Sequence, residues 1–194
     1  MKIQNYINLG KRLDTLHSEH KYLIDNCISD VYLLNKETDT SSNAIRPKIY
    51  IALDIYSKLI AGVYVDNLND KFFNGVKNVI YNCNEDKIEF CKKYNIEIKD
   101  EWPLAGTPLT ILLDVGNLGS NEIRKLVEEL HVAVEYDRNL IYSTSGSMER
   151  LFVEINNKVK KQPENKFDIY DFTRVVLNTV IEYNKRIIQK YNQI

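Results

Sequence analysis

Ile49-Tyr50-Ile51-Ala52-Leu53 is apolar throughout apart from one tyrosine hydroxyl. A strand with one wet face alternates polar and apolar residues, so a run of this kind belongs to a strand covered on both sides. A sheet covered on both sides needs helices on each face, which predicts an α/β domain.

The neighbouring sequence supplies the rest of the sheet. Residues from about 21 to 34 and from about 59 to 65 are also rich in Ile, Val, Leu and Tyr, and Asp39-Thr40-Ser41-Ser42-Asn43 and Tyr56-Ser57-Lys58 are turn-prone breaks between the three runs. Three consecutive antiparallel strands follow. From about residue 69 the period changes to helical, with Phe72, Val76, Val79 and Ile80, and a second short helix is expected over Asp86 to Tyr94. Trp102-Pro103 and Thr107-Pro108 punctuate a loop, and Leu109-Thr110-Ile111-Leu112-Leu113 reads as a fourth strand. It leads through Gly116 and Gly119 to a helix marked by Ile123, Leu126, Val127 and Leu130, then to a fifth strand at His131 to Tyr136.

Ser143-Thr144-Ser145-Gly146-Ser147 reads as a flexible stretch before a helix that Glu149 opens, with Met148, Leu151, Phe152, Ile155 and Val159 as its apolar stripe. Glu149 is about 100° round the helix from Met148 and so can face a cleft beside the core. Pro163 should end that helix, and a last one is expected from about 168 to 192. Residues 1 to about 20 read as a leader helix and 21–194 as the main domain. The order βββ, helices, β, α, β, α, α is that of a mixed five-stranded sheet flanked by helices, as in a ribonuclease H-like domain.

At 194 residues with 44% hydrophobic side chains, the chain can bury one sizeable core. A net charge of −1 provides no global basic field, so any nucleic-acid contact has to be local. Three cysteines, Cys27, Cys83 and Cys91, without CxxC spacing, and an N-terminus without a secretory apolar segment predict a reduced, cytoplasmic protein. No apolar run approaches the roughly 20 residues of a membrane span.

Three acids stand out as a candidate site. Asp25 lies in the first strand, Asp114 ends the run 109–113, and Glu149 lies on the helix after the fifth strand. Only folding can join residues so far apart in sequence. Clustered carboxylates are hard oxygen ligands, suited to Mg²⁺ or Mn²⁺ rather than zinc. Two carboxylates ~4 Å apart repel by roughly 4 kcal/mol at an effective dielectric of ~20, and divalent cations remove that conflict. Two such ions suit in-line displacement at phosphorus.

Several segments together resemble the DDE transposases and retroviral integrases, and within them the TnsB-like transposases of bacterial transposons. The resemblance rests on Asp25 with Asp30-Val31-Tyr32-Leu33, on Arg46-Pro47, and on Asp54-Ile55-Tyr56-Ser57-Lys58-Leu59-Ile60-Ala61-Gly62. It continues in Asp86 to Ile98 with Trp102-Pro103, and in Glu149-Arg150-x-Phe152, with 34 residues between Asp114 and Glu149. It implies an integrase-type core that cleaves DNA and joins a 3′-hydroxyl to target DNA. Asp25, Asp114 and Glu149 would then be the catalytic metal ligands and hold two Mg²⁺ ions, for which Mn²⁺ can substitute. The implied partners are transposon-end and target DNA, further copies of the chain and other transposition proteins, with no membrane. The alternative reading is a catalytically weak DNA-binding or assembly module with the same fold.

Other candidates are weaker. Asp54, before Ser57 and Lys58, reads as a turn residue. His17-x-x-His20 with Cys27 lacks a fourth zinc ligand. Lys158, Lys160 and Lys161 read first as a wet helix face, with phosphate contact as the sharper reading.

Overall fold

The computed structural model describes residues 21–33, 46–66, 71–113, 119–162 and 168–193. The strands are β1 (Lys21–Ile28), β2 (Lys48–Asp54), β3 (Ile60–Asp66), β4 (Thr110–Leu112) and β5 (Ala133–Glu135). The helices are α1 (Phe72–Asn84), α2 (Lys87–Lys92), α3 (Ser120–Leu130), α4 (Arg138–Val159) and α5 (Ile169–Tyr191). The strands form one sheet in the order β3-β2-β1-β4-β5. β2 runs antiparallel to both β1 and β3, whereas β4 is parallel to β1 and β5 to β4. This is the mixed, helix-flanked sheet of the ribonuclease H-like fold. The expected leader helix at 1–20, Asp114 and Pro163 lie outside the described residues.

β2 explains the layering. Side chains alternate across a strand, so Ile49, Ile51 and Leu53 enter one core with Leu23, Leu112, Met148, Ile155 and Phe172. Tyr50 and Ala52 enter the other with Ile111, Val76, Val79 and Leu126. Thus α4 and α5 cover one face and α1 and α3 the other. Burying each large aliphatic side chain is worth roughly 1.5–3 kcal/mol, and Ile49, Ile51 and Leu53 are wholly inaccessible. The second face needs close approach: a Cβ on Gly75 of α1 would lie 2.0 Å from the Tyr50 ring, so only glycine lets this helix settle on the tyrosine.

β3 forms one edge of the sheet, and side chains occupy its outward backbone groups. Ile60 N–H donates to Asn184 Oδ1 (2.8 Å), while Ile60 C=O accepts from Asn184 Nδ2 (3.1 Å) and Trp102 Nε1 (2.7 Å). Val63 N–H donates to Asn82 Oδ1 (2.9 Å). Such capping blunts an edge that would otherwise template pairing with another chain.

Two sequence expectations change. The stretch Ser143 to Ser147 is helical, because α4 begins at Arg138 with Asp137 as its cap, accepting from Leu140 N at 3.1 Å. Ser143 and Ser145 hydroxyls donate to the carbonyls of Leu140 (3.0 Å) and Tyr142 (3.2 Å), satisfying themselves on their own helix. Glu149 therefore does not open the helix but lies in its interior, beyond reach of the first-turn dipole. The fifth strand is also shorter than expected, since His131 takes a left-handed φ of 53° as the C-cap of α3.

Candidate functional site

Asp25 belongs to the face of β1 that carries Leu23 and Cys27, and both of these pack on the core containing Met148, Leu151, Phe152 and Ile155 of α4. Asp25 thus projects toward the layer of α4. It is half-buried, and Asn26 N–H donates to its Oδ1 at 2.7 Å.

Two anchors set α4 against β1. At the near end Lys58 Nζ donates to Thr144 Oγ1 at 3.4 Å. Lys58 follows β2 beside the start of β1, where Ile55 N–H donates to Lys21 C=O (3.1 Å). At the far end Asn156 Oδ1 accepts from Ser29 Oγ and Asp30 N–H, both at 3.2 Å, and Lys160 Nζ meets Asp30 Oδ2 at 2.6 Å. Helix and strand therefore run in the same sense, advancing about 1.5 Å and 3.3 Å per residue. Glu149 falls between the helix anchors as Asp25 falls between the strand anchors.

Rotation about α4 gives the same placement. Seven and eleven residues are close to whole numbers of turns at 100° per residue, so Glu149, Asn156 and Lys160 share one flank. The latter two contact the turn after β1, which fixes this flank as the one facing that strand. The opposite flank meets α5, where Arg186 makes paired contacts with Glu154 (3.1 and 2.6 Å) and Lys158 meets Glu182 (2.6 Å). Glu149 is exposed on the β1 side of the helix.

The third acid, Asp114, lies outside the described residues. Among the described residues no three His, Cys, Asp or Glu side chains form a group able to hold a metal ion. The donor type of Asp25 and Glu149, carboxylate oxygen, fits Mg²⁺ or Mn²⁺. His17 and His20 also lie outside the described residues. Burial pushes the Cys27 thiol upward, and the nearby Asp30 and Asp25 carboxylates add to the rise; thiolate chemistry is thereby suppressed beside Asp25.

The other candidates have visible local duties. Asp54 is buried and accepts from Ser57 N–H (2.8 Å) and Ser57 Oγ (2.5 Å), closing the turn between β2 and β3. Lys158 is paired with Glu154 and Glu182, and Lys160 with Asp30, whose carboxyl is held below the usual range by that ammonium. Sequence reasoning passed over Asn156. Its signal was a polar residue seven positions after Glu149, at the margin of an otherwise apolar stripe.

The model of the TnsB C-terminal domain family matches residues 23–165. The Transposon Tn7 transposition protein TnsB of Escherichia coli is 26% identical, over 89% of this chain and 27% of its own length. The chain thus spans about a quarter of that relative. Among solved structures, the catalytic core domain of BIV integrase aligns with a TM-score of 0.47 at 13% identity, covering 87% of this chain and 85% of that one. The HTLV-2 integrase catalytic core domain in complex with magnesium aligns with a TM-score of 0.44 at 11% identity, covering 85% and 84%. With its family model matched across most of its length, from β1 to just beyond α4, the chain belongs to the TnsB C-terminal domain family.

Proposed function

We propose that this domain is the catalytic core of a DNA transposase, cleaving DNA at transposon ends and joining the freed 3′-hydroxyl to target DNA. Asp25, Asp114 and Glu149 are its metal-holding carboxylates, with two Mg²⁺ ions that Mn²⁺ can replace. The observation that carries this reading is the pairing of α4 with β1, which sets the Glu149 flank beside the strand of Asp25.

In this reading the bound ions supply the positive charge that polarises a phosphodiester and steadies the leaving oxygen. The protein supplies rigidity. Strand β1 presents Asp25 from the sheet, with Asn26 N–H orienting the carboxylate, and α4 presents Glu149 from a helix pinned at both ends. Neither Asp25 nor Glu149 forms a covalent bond to DNA; both bind and orient.

A specific observation favours a second reading, an assembly module of low intrinsic activity. The net charge is −1, and Lys158 of α4 and Lys160 at its C-terminal cap are engaged in ion pairs. Strand transfer by a full-length protein carrying Asp114→Asn, Asp25→Asn or Glu149→Gln separates the two. The catalytic reading expects loss of both cleavage and joining in each variant, and wild-type strand transfer by Asp114→Asn would establish the assembly role instead.

A further inference from the structure

One buried amide joins α4 to the turn that follows β1. Asn156 is 8% exposed on a helix face otherwise made of Met148, Leu151, Phe152, Ile155 and Val159. Its Oδ1 accepts from Ser29 Oγ and Asp30 N–H (both 3.2 Å), and its Nδ2 reaches Cys27 Sγ at 3.8 Å. The turn it grips is itself braced: Ser29 N–H donates to Pro47 C=O (2.8 Å), and Arg46 Nε donates to Ser29 C=O (2.8 Å). Ser29 Oγ also accepts from Val31 N–H at 3.3 Å.

We propose that Asn156 is a positioning residue, fixing the axial setting and rotation of α4 on β1 so that the Glu149 and Asp25 carboxylates are held at one level. This rests on the transposase reading of the site. An apolar residue in its place would bury as much surface without needing hydrogen bonds. It would also fix no register, because apolar contact is not directional. A slip of one residue along a helix moves it about 1.5 Å, while metal ligation tolerates about 0.2 Å. Directional bonds to a braced turn are what such tolerance requires.

The test titrates Mn²⁺ into the whole chain by electron paramagnetic resonance, alongside thermal unfolding. Asn156→Leu is expected to bind Mn²⁺ about 10- to 100-fold more weakly, the range seen when groups that orient metal ligands are removed. Val159→Ala, which loosens the same interface without touching the amide, should lower the melting temperature and leave Mn²⁺ affinity at the wild-type value. Ser29→Ala, which takes away one bond to Asn156 Oδ1, should weaken Mn²⁺ several-fold and carries the test if Asn156→Leu does not fold. Wild-type affinity in Asn156→Leu, or in Ser29→Ala where that variant carries the test, overturns the proposal. So does a loss in Val159→Ala equal to that in the amide variant. Asp25→Asn and Glu149→Gln serve as references: if neither weakens Mn²⁺, the metal-site reading itself fails and takes this inference with it. If both weaken it and the amide variants do not, the positioning role alone is wrong.

Discussion

Replacing Asn184 with leucine isolates the energetics of the β3 edge. Asn184 is fully buried on α5, and leucine keeps its branching and number of side-chain heavy atoms while removing both of its bonds to Ile60. The two bonds are unequal in consequence. Ile60 C=O keeps Trp102 Nε1 as a donor at 2.7 Å, whereas Ile60 N–H loses its acceptor, and an unsatisfied buried donor costs about 1–3 kcal/mol. For a domain of this size each kcal/mol lowers the melting temperature by about 2–4 °C, so a fall of about 2–12 °C is expected. Trp102→Phe alone leaves Ile60 C=O bonded to Asn184 Nδ2 and should cost only packing. In the double variant the carbonyl loses both donors, so the combined loss should exceed the sum of the singles by about 1–3 kcal/mol. Urea unfolding of the four proteins in the cycle measures this term. Additivity within error, or wild-type stability in Asn184→Leu, would refute the assignment of these two side chains as alternative donors to one carbonyl.

Other perturbations follow from close packing and burial. Gly75→Ala places a methyl group into the Tyr50 ring and should destabilise by about 1–3 kcal/mol or more; adding Tyr50→Leu should recover part of the loss in chemical denaturation, and no recovery would locate the clash elsewhere. Lys87 is buried against Trp102, with its ammonium 5.3 Å from the ring centroid, and burial holds its pKa below the ordinary lysine value. Between that lowered pKa and the ordinary one, the unfolded chain binds more protons than the folded one, so stability should rise with pH across that window. Lys87→Met should flatten this rise in unfolding curves taken across the same window; an unchanged slope would clear Lys87 of the effect.

How much was legible in the sequence tracks how local each signal is. The unbroken apolar run 49–53 identifies β2 as doubly covered, and the stripes of α4 and α5 show in their periodicity. The serine-rich start of α4 misleads, because short hydroxyl side chains that mark loops elsewhere here return to their own helix carbonyls. The edge caps from Asn82 and Asn184 were invisible, since nothing local couples Asn184 to Ile60, 124 positions away. For the candidate site, Asp25 and Glu149 could be picked out as acids on a strand and on the margin of an apolar stripe. Asn156 could not, because periodicity ranks a polar residue beside such a stripe as an exception rather than a contact.

Strand order alone also points to the place where chemistry is expected. The chain lays β2 and β3 on one side of β1 and then returns through α1 and α2 to lay β4 on the other. β1 therefore has its successor in sequence, β2, on one side and the parallel β4 on the other, and the carboxyl ends of strands at such a reversal are the usual position for ligands in open sheets. Asp25 lies in the C-terminal half of β1, two residues past the last pair with β4, Leu23↔Leu112. Helix α4 packs beside β1 with Glu149 on the flank that faces that strand. Helix rotation is independent of any sequence motif, and it turns Glu149 to the flank of α4 on the β1 side. Moving Glu149 one position along α4, as the pair Glu149→Ser and Arg150→Glu, rotates the carboxylate by about 100° toward the α5 flank while keeping its charge, its helix and nearly its height. Mn²⁺ affinity should then fall as far as in Glu149→Gln. Wild-type affinity in the shifted variant would show that the direction of this flank has no bearing on the site.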